Sequence, residues 1–218
     1  MSLVVRHLAR CGYAQALALQ ESLVARKLAG ETDDYLLLLE HDPVYTLGRG
    51  ADAGDLMGAD ERLGVPVFRV GRGGGVTFHG PGQLVAYPIL TLTKAARDVR
   101  RYLRALEDVL LATCESFGVM GSRREGQTGV WVQDGKIASI GVGIRHWTTL
   151  HGIALNVSTD LSFFSAIVPC RMPEVRMTSL ACELGREVPM REVESVFARL
   201  FCRAFDVDVG APATVWAG

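Results

Sequence analysis

Apolar residues fall into short runs and periodic stretches along this chain, and the two patterns predict strands and helices. Four runs are too short for helices and are expected to form strands, most of them buried. These runs span residues 3–7, 34–40, 65–70 and 84–90. Three longer stretches repeat apolar residues at helical spacing and are expected to form amphipathic helices. These stretches span residues 13–28, 98–117 and 191–205.

Local signals refine the predicted helices. Asp98 stands where an N-cap side chain accepts backbone hydrogen bonds, and Gly30 follows the first helix as a stop signal. The first helix is expected to bury one side of its surface. The residues on that side are Leu17, Gln20, Val24 and Leu28.

Residues 129–157 predict a β-meander in which Asp134-Gly135 is the dipeptide of a tight hairpin turn. Weaker patterns predict a polar loop at 46–50, a short helix near 55–63 and a last strand at 205–209. Strands with flanking helices and hairpin signals favour a single α/β domain of the α+β type over residues 1–218. Its sheet is expected to be mixed and rich in antiparallel pairs.

A glycine-rich stretch, residues 72–83, lies between two apolar runs and therefore at the edge of the predicted core. Three consecutive glycines in it remove side chains from a short length of backbone, so a ligand can approach the main chain closely. Polar groups border this bare backbone, as in many small-molecule sites. They are Arg72, Thr77, His79 and Gln83. A purely structural glycine-rich hairpin is the alternative, since glycines mark turns in many proteins.

The glycine-rich stretch differs from the phosphate-binding fingerprints. Val76 stands where the dinucleotide motif needs its last glycine, and no Lys-Ser or Lys-Thr pair completes a nucleotide-triphosphate loop. A strand-like segment follows the glycines, whereas phosphate sites use a helix N-terminus at that point. The pattern therefore argues against a phosphate loop.

The order Arg-Gly-Gly-x-x-Thr-aromatic-His, followed closely by Gln83 and Tyr87, resembles the signature of the lipoyl(octanoyl) transferases. That family is similar to the wider lipoate- and biotin-ligase fold group, so the resemblance implies a biotin/lipoate ligase-like fold. It also implies that three segments line an acyl pocket. They are Arg72, Gly73, Gly74, Gly75, Val76, Thr77, Phe78 and His79; Ser139, Ile140 and Gly141; and Gly152, Ile153 and Ala154.

Cys170 is the candidate nucleophile. It follows Pro169 after an apolar run and precedes Arg171, a cation of the kind that favours thiolate. The resemblance implies that Cys170 carries the acyl group as a thioester. The family often has a glycine after this cysteine, where the present chain has Arg171.

Lys136 and two histidines are the other candidates for chemistry. An exposed hairpin lysine is the ordinary alternative for Lys136, but the apolar residues after it can carry it inward. The resemblance implies that Lys136 pairs with Cys170; an ammonium there would lower the pKa of the thiol. His79 and His151 are expected to shape the site, with His79 nearer the substrate, and a buried, satisfied histidine stays open for each.

Composition narrows the functional classes. The chain has 218 residues, 49% hydrophobic and 22% charged, which is typical of a soluble domain. A net charge of -1 gives no electrostatic support for nucleic-acid or membrane binding, and the early charged N-terminus is not typical of a secretory signal. Neither a metal nor a cofactor is expected.

The cysteines indicate a reducing compartment. There are five, irregularly spaced and without a Cys-x-x-Cys motif, which argues against a disulfide framework and a structural zinc site. This usage favours the cytoplasm. Most are expected to be small buried apolar residues, above all Cys114 and Cys202 in helical stripes, whereas Cys11 and Cys182 have no catalytic context.

The resemblance implies an acyltransferase of protein lipoylation. Its donor would be octanoyl-acyl carrier protein, and its acceptors the lipoyl domains of 2-oxoacid dehydrogenase complexes and the glycine cleavage H protein. An ATP-dependent lipoate or biotin ligase and a binding module without turnover are the alternatives. Arg145, Arg171 and Arg176 are expected to gather near the site mouth and to attract the acidic carrier protein.

Overall fold

The structure, a computed structural model, describes residues 2–57, 64–168 and 175–206. The first half contains β1 (Leu3–His7), α1 (Tyr13–Leu28), β2 (Asp34–Leu39), β3 (Val44–Leu47), β4 (Val67–Arg69), β5 (Val76–His79) and β6 (Gln83–Ile89). The second half contains α2 (Val99–Ser116), β7 (Ser122–Arg124), β8 (Gln127–Val132), β9 (Gly135–Arg145), β10 (Thr148–Asn156), β11 (Arg176–Met177), α3 (Leu180–Leu184) and α4 (Met190–Ala204). Short 3-10 helices span Ala53–Leu56, Lys94–Ala96 and Leu161–Ala166.

A large mixed sheet forms the centre of the fold. Its strand order is β1-β2-β6-β10-β9-β8-β7, and β11 pairs with β9. In this spatial order every neighbouring pair from β2 through β6, β10, β9 and β8 to β7 is antiparallel. By contrast, β1 pairs parallel with β2, and β11 pairs parallel with β9. A second sheet has the order β4-β3-β5. The predicted α+β class with an antiparallel-rich mixed sheet is confirmed.

Helices cover both faces of the large sheet, and β2 shows how the sequence encodes this. Leu36 and Leu38 belong to the apolar cluster that includes α2 and α4, whereas Leu37 and Leu39 belong to the cluster that includes α1. Successive side chains of a strand face opposite sides. A strand covered on both faces therefore needs apolar residues at nearly every position, and this explains the leucine run.

Helix α1 has the predicted bounds, but its buried stripe is displaced. Leu28 is 49% exposed, and the neighbouring Lys27 is buried instead. The Lys27 ammonium lies 2.7 Å from the Asp34 carboxylate and donates to the Asp33 carbonyl at 2.7 Å. A buried ammonium needs such partners, which a pattern of apolar residues alone cannot reveal.

The predicted features of the second half are largely confirmed. The Asp98 carboxylate accepts hydrogen bonds from the first backbone N–H groups of α2 at 2.9 and 3.1 Å. Strands β8, β9 and β10 form the predicted meander. The tight turn lies one residue earlier than predicted, because Gln133 takes the left-handed conformation with φ of 49° and Gly135 begins β9. No helix in the described part of the chain is both long and apolar enough to cross a bilayer.

Two predictions in the second, smaller sheet need correction: part of the polar loop is wrong, and one strand is shorter than expected. The end of β3, Thr46 and Leu47, is a buried strand where a polar loop was expected. The strand expected at 65–70 shortens to β4, a half-buried edge strand of the small sheet. Strands of three or four residues present too few alternating positions for a pattern to be recognised.

Two predicted elements lie partly outside the described residues. The helix near 55–63 corresponds to the 3-10 helix Ala53–Leu56, and residues 58–63 are not described. In place of a strand beginning at Phe205, this residue caps the C-terminus of α4, and residues 207–209 are not described.

Candidate functional site

Strand β5 sends alternate side chains of the glycine-rich motif in opposite directions. Val76 and Phe78 are buried in the apolar cluster of the small sheet. Thr77 and His79 line a pocket whose other walls come from the large sheet and α1. Two positions of the motif thus hold the small sheet together, and two face the pocket, as the two-residue period of a strand requires.

The glycines ahead of β5 let the loop backbone bond to the segment after β3 and to β9 of the large sheet. Gly50 N–H donates to the Gly74 carbonyl at 3.0 Å, and Gly73 N–H donates to the Val142 carbonyl of β9 at 2.9 Å. Gly74 has a φ of 82°, in the left-handed region that glycine favours, and it also lines the pocket. The sequence left open whether the glycines form a ligand pocket or a structural turn. Gly74 does both, because it lines the pocket and adopts a turn conformation.

Arg72 reaches into the pocket from the loop and is almost fully buried. Its Nη2 donates to the Thr46 carbonyl at 2.7 Å and to Thr46 Oγ1 at 2.8 Å, and its Nη1 donates to the Gly73 carbonyl at 2.9 Å. A Cβ at Gly141 would lie 2.9 Å from Cδ of Arg72. Glycine at position 141 therefore leaves the space that the arginine stem occupies.

Two neighbouring strands form the floor of the pocket. Three residues of β9 pair across the sheet with three of β10, and all six line the pocket. The pairs are Ser139 with Ala154, Ile140 with Ile153, and Gly141 with Gly152. These residues are far apart in sequence from the glycine-rich motif, and the fold brings the three predicted segments to one place.

Aromatic and histidine rings form the remaining wall. His41 Nδ1–H donates to the Cys11 carbonyl at 3.0 Å, so His41 Nε2 accepts from the Tyr87 hydroxyl at 2.7 Å. The ring of Tyr13, from the start of α1, stacks with its centroid 6.4 Å from that of His79. Tyr13, Tyr87 and His79 all line the pocket.

Burial keeps these rings uncharged. Desolvation lowers the pKa of His41 to about 4. Desolvation, assisted by the charge of Arg72, lowers the pKa of His151 to about 4 and that of His79 well below 6.5. Desolvation also raises the pKa of Tyr13 to about 12. The guanidinium of Arg72 therefore lies among neutral imidazoles and phenols at neutral pH.

His151 lies in β10 with an unusual backbone. Its φ is 56°, a left-handed conformation that non-glycine residues seldom adopt, and its N–H donates to the carbonyl oxygen of the buried Gln20 side chain at 2.8 Å. This bond ties α1 to the pocket strand. His151 lines the pocket, as its candidacy from the sequence suggested.

Lys136 opens β9, three residues before the pocket floor, and its side chain is buried. Nζ lies 5.0 Å from the centroid of the Trp131 ring, within the range of a cation–π contact. A Cβ at Gly129 would lie 2.9 Å from Cε of Lys136. The exposed-lysine alternative is therefore wrong, and Gly129 leaves room for the lysine stem.

Cys170 and Arg171 lie outside the described residues, so the structure says nothing of the predicted nucleophile. Cys114 and Cys202 are buried, as expected for core cysteines. Cys11 is half-buried and Cys182 is exposed. Among residues 2–57, 64–168 and 175–206, no three His, Cys, Asp or Glu side chains group to hold a metal ion.

The predicted gathering of arginines is wrong for the described pair. Arg176 pairs with Gly135 at the start of β9, and Arg145 is the last residue of that strand. A strand rises ~3.3 Å per residue, so the ten steps between 135 and 145 separate their backbones by about 33 Å. Arg145 instead lies 3.3 Å from the Glu21 carboxylate on α1.

The structure thus unites most of the predicted pocket residues. Those that line the pocket are Arg72, Gly74, Thr77, His79, Ser139, Ile140, Gly141, Gly152, Ile153 and Ala154. Gly73 and Gly75 contribute backbone bonds in the loop, Val76 and Phe78 face the core, and Lys136 lies further along β9.

Sequence reasoning missed contributors from distant elements. Tyr13, His41, Thr46 and Gly129 carry no motif of their own, and each reaches the site through tertiary contacts. Tyr87 is a pocket residue that the sequence could have identified, because it belongs to the motif, but it was not assigned to the pocket.

Comparison with known proteins finds relatives along nearly the whole chain. A family model described as the lipoyl protein ligase A/B catalytic domain matches residues 12–202. The chain is similar to the octanoyltransferase of Citrifermentans bemidjiense, with 53% identity over 87% of this chain and 91% of that protein. It is also similar to the octanoyltransferase of Geobacter metallireducens, with 46% identity over 91% of this chain and 92% of that protein.

Solved structures share the fold at lower identity. Lipoate-protein ligase A, in a crystal structure bound with ATP, gives a TM-score of 0.81 at 17% identity, covering 100% of this chain and 90% of that one. The biotin protein ligase of Aquifex aeolicus gives a TM-score of 0.56 at 15% identity, covering 94% of this chain and 70% of that one. The biotin/lipoate ligase-like fold expected from the sequence is confirmed.

Proposed function

Because the chain belongs to the family of lipoyl protein ligase A/B catalytic domains, we propose that it is an acyltransferase that moves octanoyl groups in protein lipoylation. The donor is octanoyl-acyl carrier protein, and the acceptor is a lysine of a lipoyl-accepting domain. The observation that carries the proposal is identity of 46% and 53% with octanoyltransferases over most of both chains.

The proposed reaction has two acyl-transfer steps through Cys170. The Cys170 sulfur first attacks the thioester carbonyl of the donor; the bond to the carrier sulfur breaks, and the carrier leaves as a thiol. The amine of the acceptor lysine then attacks the enzyme thioester, an amide forms and the Cys170 thiol is released. Exchange between thioesters is nearly even in energy and amide formation from a thioester is downhill, so neither step requires ATP.

Lys136 is the proposed proton partner of Cys170. Its burial and its contact with Trp131 hold the ammonium on one side of β9. A cation near a thiol favours thiolate, the reactive form. The ammonium gives its proton to the departing carrier sulfur. The neutral lysine then accepts the proton that the acceptor amine loses and passes it to the released Cys170 thiolate.

The pocket is the proposed acyl site. Ile140, Ile153 and Ala154 provide apolar contacts, and burial of an alkyl chain is worth about 0.8 kcal/mol per CH₂. The cavity measures about 30 Å³, whereas an apolar cavity of roughly 150 Å³ accommodates one benzene ring. An eight-carbon chain exceeds this enclosed space, so it must displace lining side chains or extend through the open side of the pocket.

The proposed partners follow from the reaction. Acceptors are the lipoyl domains of 2-oxoacid dehydrogenase complexes and the glycine cleavage H protein. The cytoplasm is the proposed compartment, because a reactive thiol needs a reducing environment. Neither a nucleic acid nor a membrane takes part.

Intact-protein mass spectrometry tests the nucleophile. After mixing with octanoyl-acyl carrier protein, the wild type is expected to gain one octanoyl group, and Cys170→Ala none. Cys182→Ala is the matched control, because Cys182 is exposed and free, and it should be acylated like the wild type. Full acylation of Cys170→Ala would remove the nucleophile assignment.

The pH dependence of acylation tests Lys136. Lys136→Ala is expected to acylate slowly and to recover as pH rises, because hydroxide then supplies the thiolate. Lys94→Ala replaces an exposed lysine and should follow the wild-type profile. A wild-type profile in Lys136→Ala would exclude the proton-transfer role.

A further inference from the structure

A line of buried hydrogen bonds runs from the pocket to the strand that carries Lys136. His79 Nδ1 lies 2.8 Å from Gln83 Oε1, and Gln83 Nε2 donates to Asn156 Oδ1 at 2.9 Å. Asn156 Nδ2 donates to the Thr178 carbonyl at 2.9 Å, and Thr178 N–H donates to the Lys136 carbonyl at 3.0 Å. All five residues are buried.

Two main-chain carbonyls determine which atoms of the Gln83 and Asn156 side-chain amides donate and which accept. Gln83 Nε2 also donates to the Phe78 carbonyl at 3.2 Å, and a carbonyl can only accept. The amide of Gln83 therefore has one satisfactory orientation, with Oε1 toward His79. In the same way the Thr178 carbonyl fixes the amide of Asn156.

The orientation of Gln83 in turn determines the tautomer of His79. Because Gln83 Oε1 accepts, Nδ1 of His79 must carry the proton. The other nitrogen, Nε2, faces Thr46 Oγ1 at 3.4 Å. That hydroxyl already accepts from Arg72 at 2.8 and 3.3 Å, so its own hydrogen is free to point at Nε2. His79 is thereby held as a neutral ring with Nε2 as an acceptor.

The surroundings of His79 oppose a second proton. The charged or titratable groups that face it are Arg72 from the loop, His41 beyond β2, His151 on β10 and Tyr13 on α1. Arg72 is a cation, and protonation of His79 would place a second cation beside it. No carboxylate is among these described neighbours, and Gln83 provides a neutral acceptor in its place.

We propose that Gln83 and Asn156 are positioning residues, which hold His79 as the neutral Nδ1–H tautomer in the pocket and pin Thr178 against the strand of Lys136. The inference rests on the proposed octanoyl transfer for its effect on activity. The tautomer itself is a property of the protein without substrate.

The nitrogen chemical shifts of His79 test the tautomer directly, in the wild-type protein labelled with ¹⁵N. We expect the Nδ1–H pattern without titration between pH 5 and 8. An Nε2–H pattern, or titration near pH 6.5, would overturn the inference. This result stands apart from the function, because it is read from the protein without substrate.

Gln83→Glu tests the consequence. A carboxylate at position 83 stabilises an imidazolium, so His79 is expected to titrate at a raised pKa. Below that pKa the neutral fraction, and kcat/KM with it, should fall about tenfold per pH unit. Gln15→Glu adds the same charge at an exposed position of α1 and should keep the wild-type profile. A wild-type profile in Gln83→Glu would contradict the proposal.

Asn156→Asp separates the two ends of the line. The carboxylate that this variant introduces still accepts from Gln83, so His79 should remain neutral, but the bond to the Thr178 carbonyl is lost. We expect faster hydrogen exchange at the Thr178 amide and a lower kcat, with donor KM little changed. Unchanged exchange would refute the link to Lys136. Absence of transfer in the wild type would instead refute the proposed function.

Discussion

Gly129→Ala is expected to disable the enzyme by displacing Lys136. Gly129 has a φ of 133°, a conformation that side chains seldom adopt. An added Cβ would lie 2.5 Å from the Ala138 carbonyl oxygen, 2.9 Å from Cε of Lys136 and 3.5 Å from its Nζ. The contact with the carbonyl strains the sheet backbone, whereas the contact with the flexible lysine stem is relieved when that stem moves away.

The size of the effect follows from these contacts. Backbone strain of this kind costs about 1–3 kcal/mol, and overpacking costs a further ~1–3 kcal/mol. A loss near the middle of this range, about 4 kcal/mol, lowers Tm by about 8–16 °C for a domain of this size. A displacement of Lys136 by ~1 Å is expected to slow acylation by about a hundredfold.

Thermal denaturation and acylation kinetics measure the two effects separately. Gly126→Ala is the matched control, because Gly126 also has a positive φ, 73°, but a Cβ there meets nothing within 4 Å. It should lose about 1–2 kcal/mol through strain alone and keep its acylation rate. Wild-type acylation in Gly129→Ala, well below its Tm, would refute the role given to Lys136.

Three further changes test other parts of the structure. Lys27→Met leaves the buried carboxylate of Asp34 without its ion partner. The free energy of unfolding, measured in urea, should therefore fall by about 3–5 kcal/mol. A loss below ~1 kcal/mol would contradict the stabilising role of this ion pair. His41 and His151 have pKa values of about 4 in the folded protein and ~6.5 in the unfolded chain. Between these values only the unfolded chain is protonated at the two histidines, so the free energy of unfolding should fall as pH falls from ~6.5 to 4. The loss should be about 3 kcal/mol for each histidine. His151→Asn tolerates the left-handed backbone and should weaken this pH dependence; an unchanged dependence in denaturation curves would exclude His151 as its source. Gly74→Val puts a branched side chain at a φ of 82° in the pocket wall, so it should abolish transfer and also lower Tm. Gly73→Ala is the control and should keep its Tm, because its Cβ would meet only the Val142 carbonyl oxygen at 3.7 Å. Equal losses of Tm and of transfer in the two variants would show that the loop has a structural role alone.

Elements with strong, long patterns could be predicted from the sequence. Helix α2 repeats apolar residues over several turns behind an N-cap aspartate, and β2 is apolar because both of its faces are covered. Lys27 and β3 could not be predicted. Lys27 is inward because Asp34, on the adjacent strand, neutralises it, and β3 is too short to show a period.

In the site, too, contiguous patterns could be predicted and tertiary partners could not. Thr77 and His79 were predictable because their motif is contiguous, and the strand period explains why Val76 and Phe78 face away. The partners that set the chemistry of His79 come from elements far along the chain. Gln83 belongs to the motif, whereas Asn156 lies 73 residues beyond it and is identified by a hydrogen bond alone.

Octanoyl transfer without ATP tests the proposed function most directly. Wild-type protein is first loaded with octanoyl-acyl carrier protein, freed of the carrier, and then mixed with an apo lipoyl domain in the absence of nucleotide. We expect the octanoyl group to leave the enzyme and to appear on one lysine of the lipoyl domain, as read by mass spectrometry. A requirement for ATP would indicate a ligase, and stable binding of the donor with no covalent adduct would indicate a binding module. Either result would exclude octanoyl transfer through an acyl-enzyme.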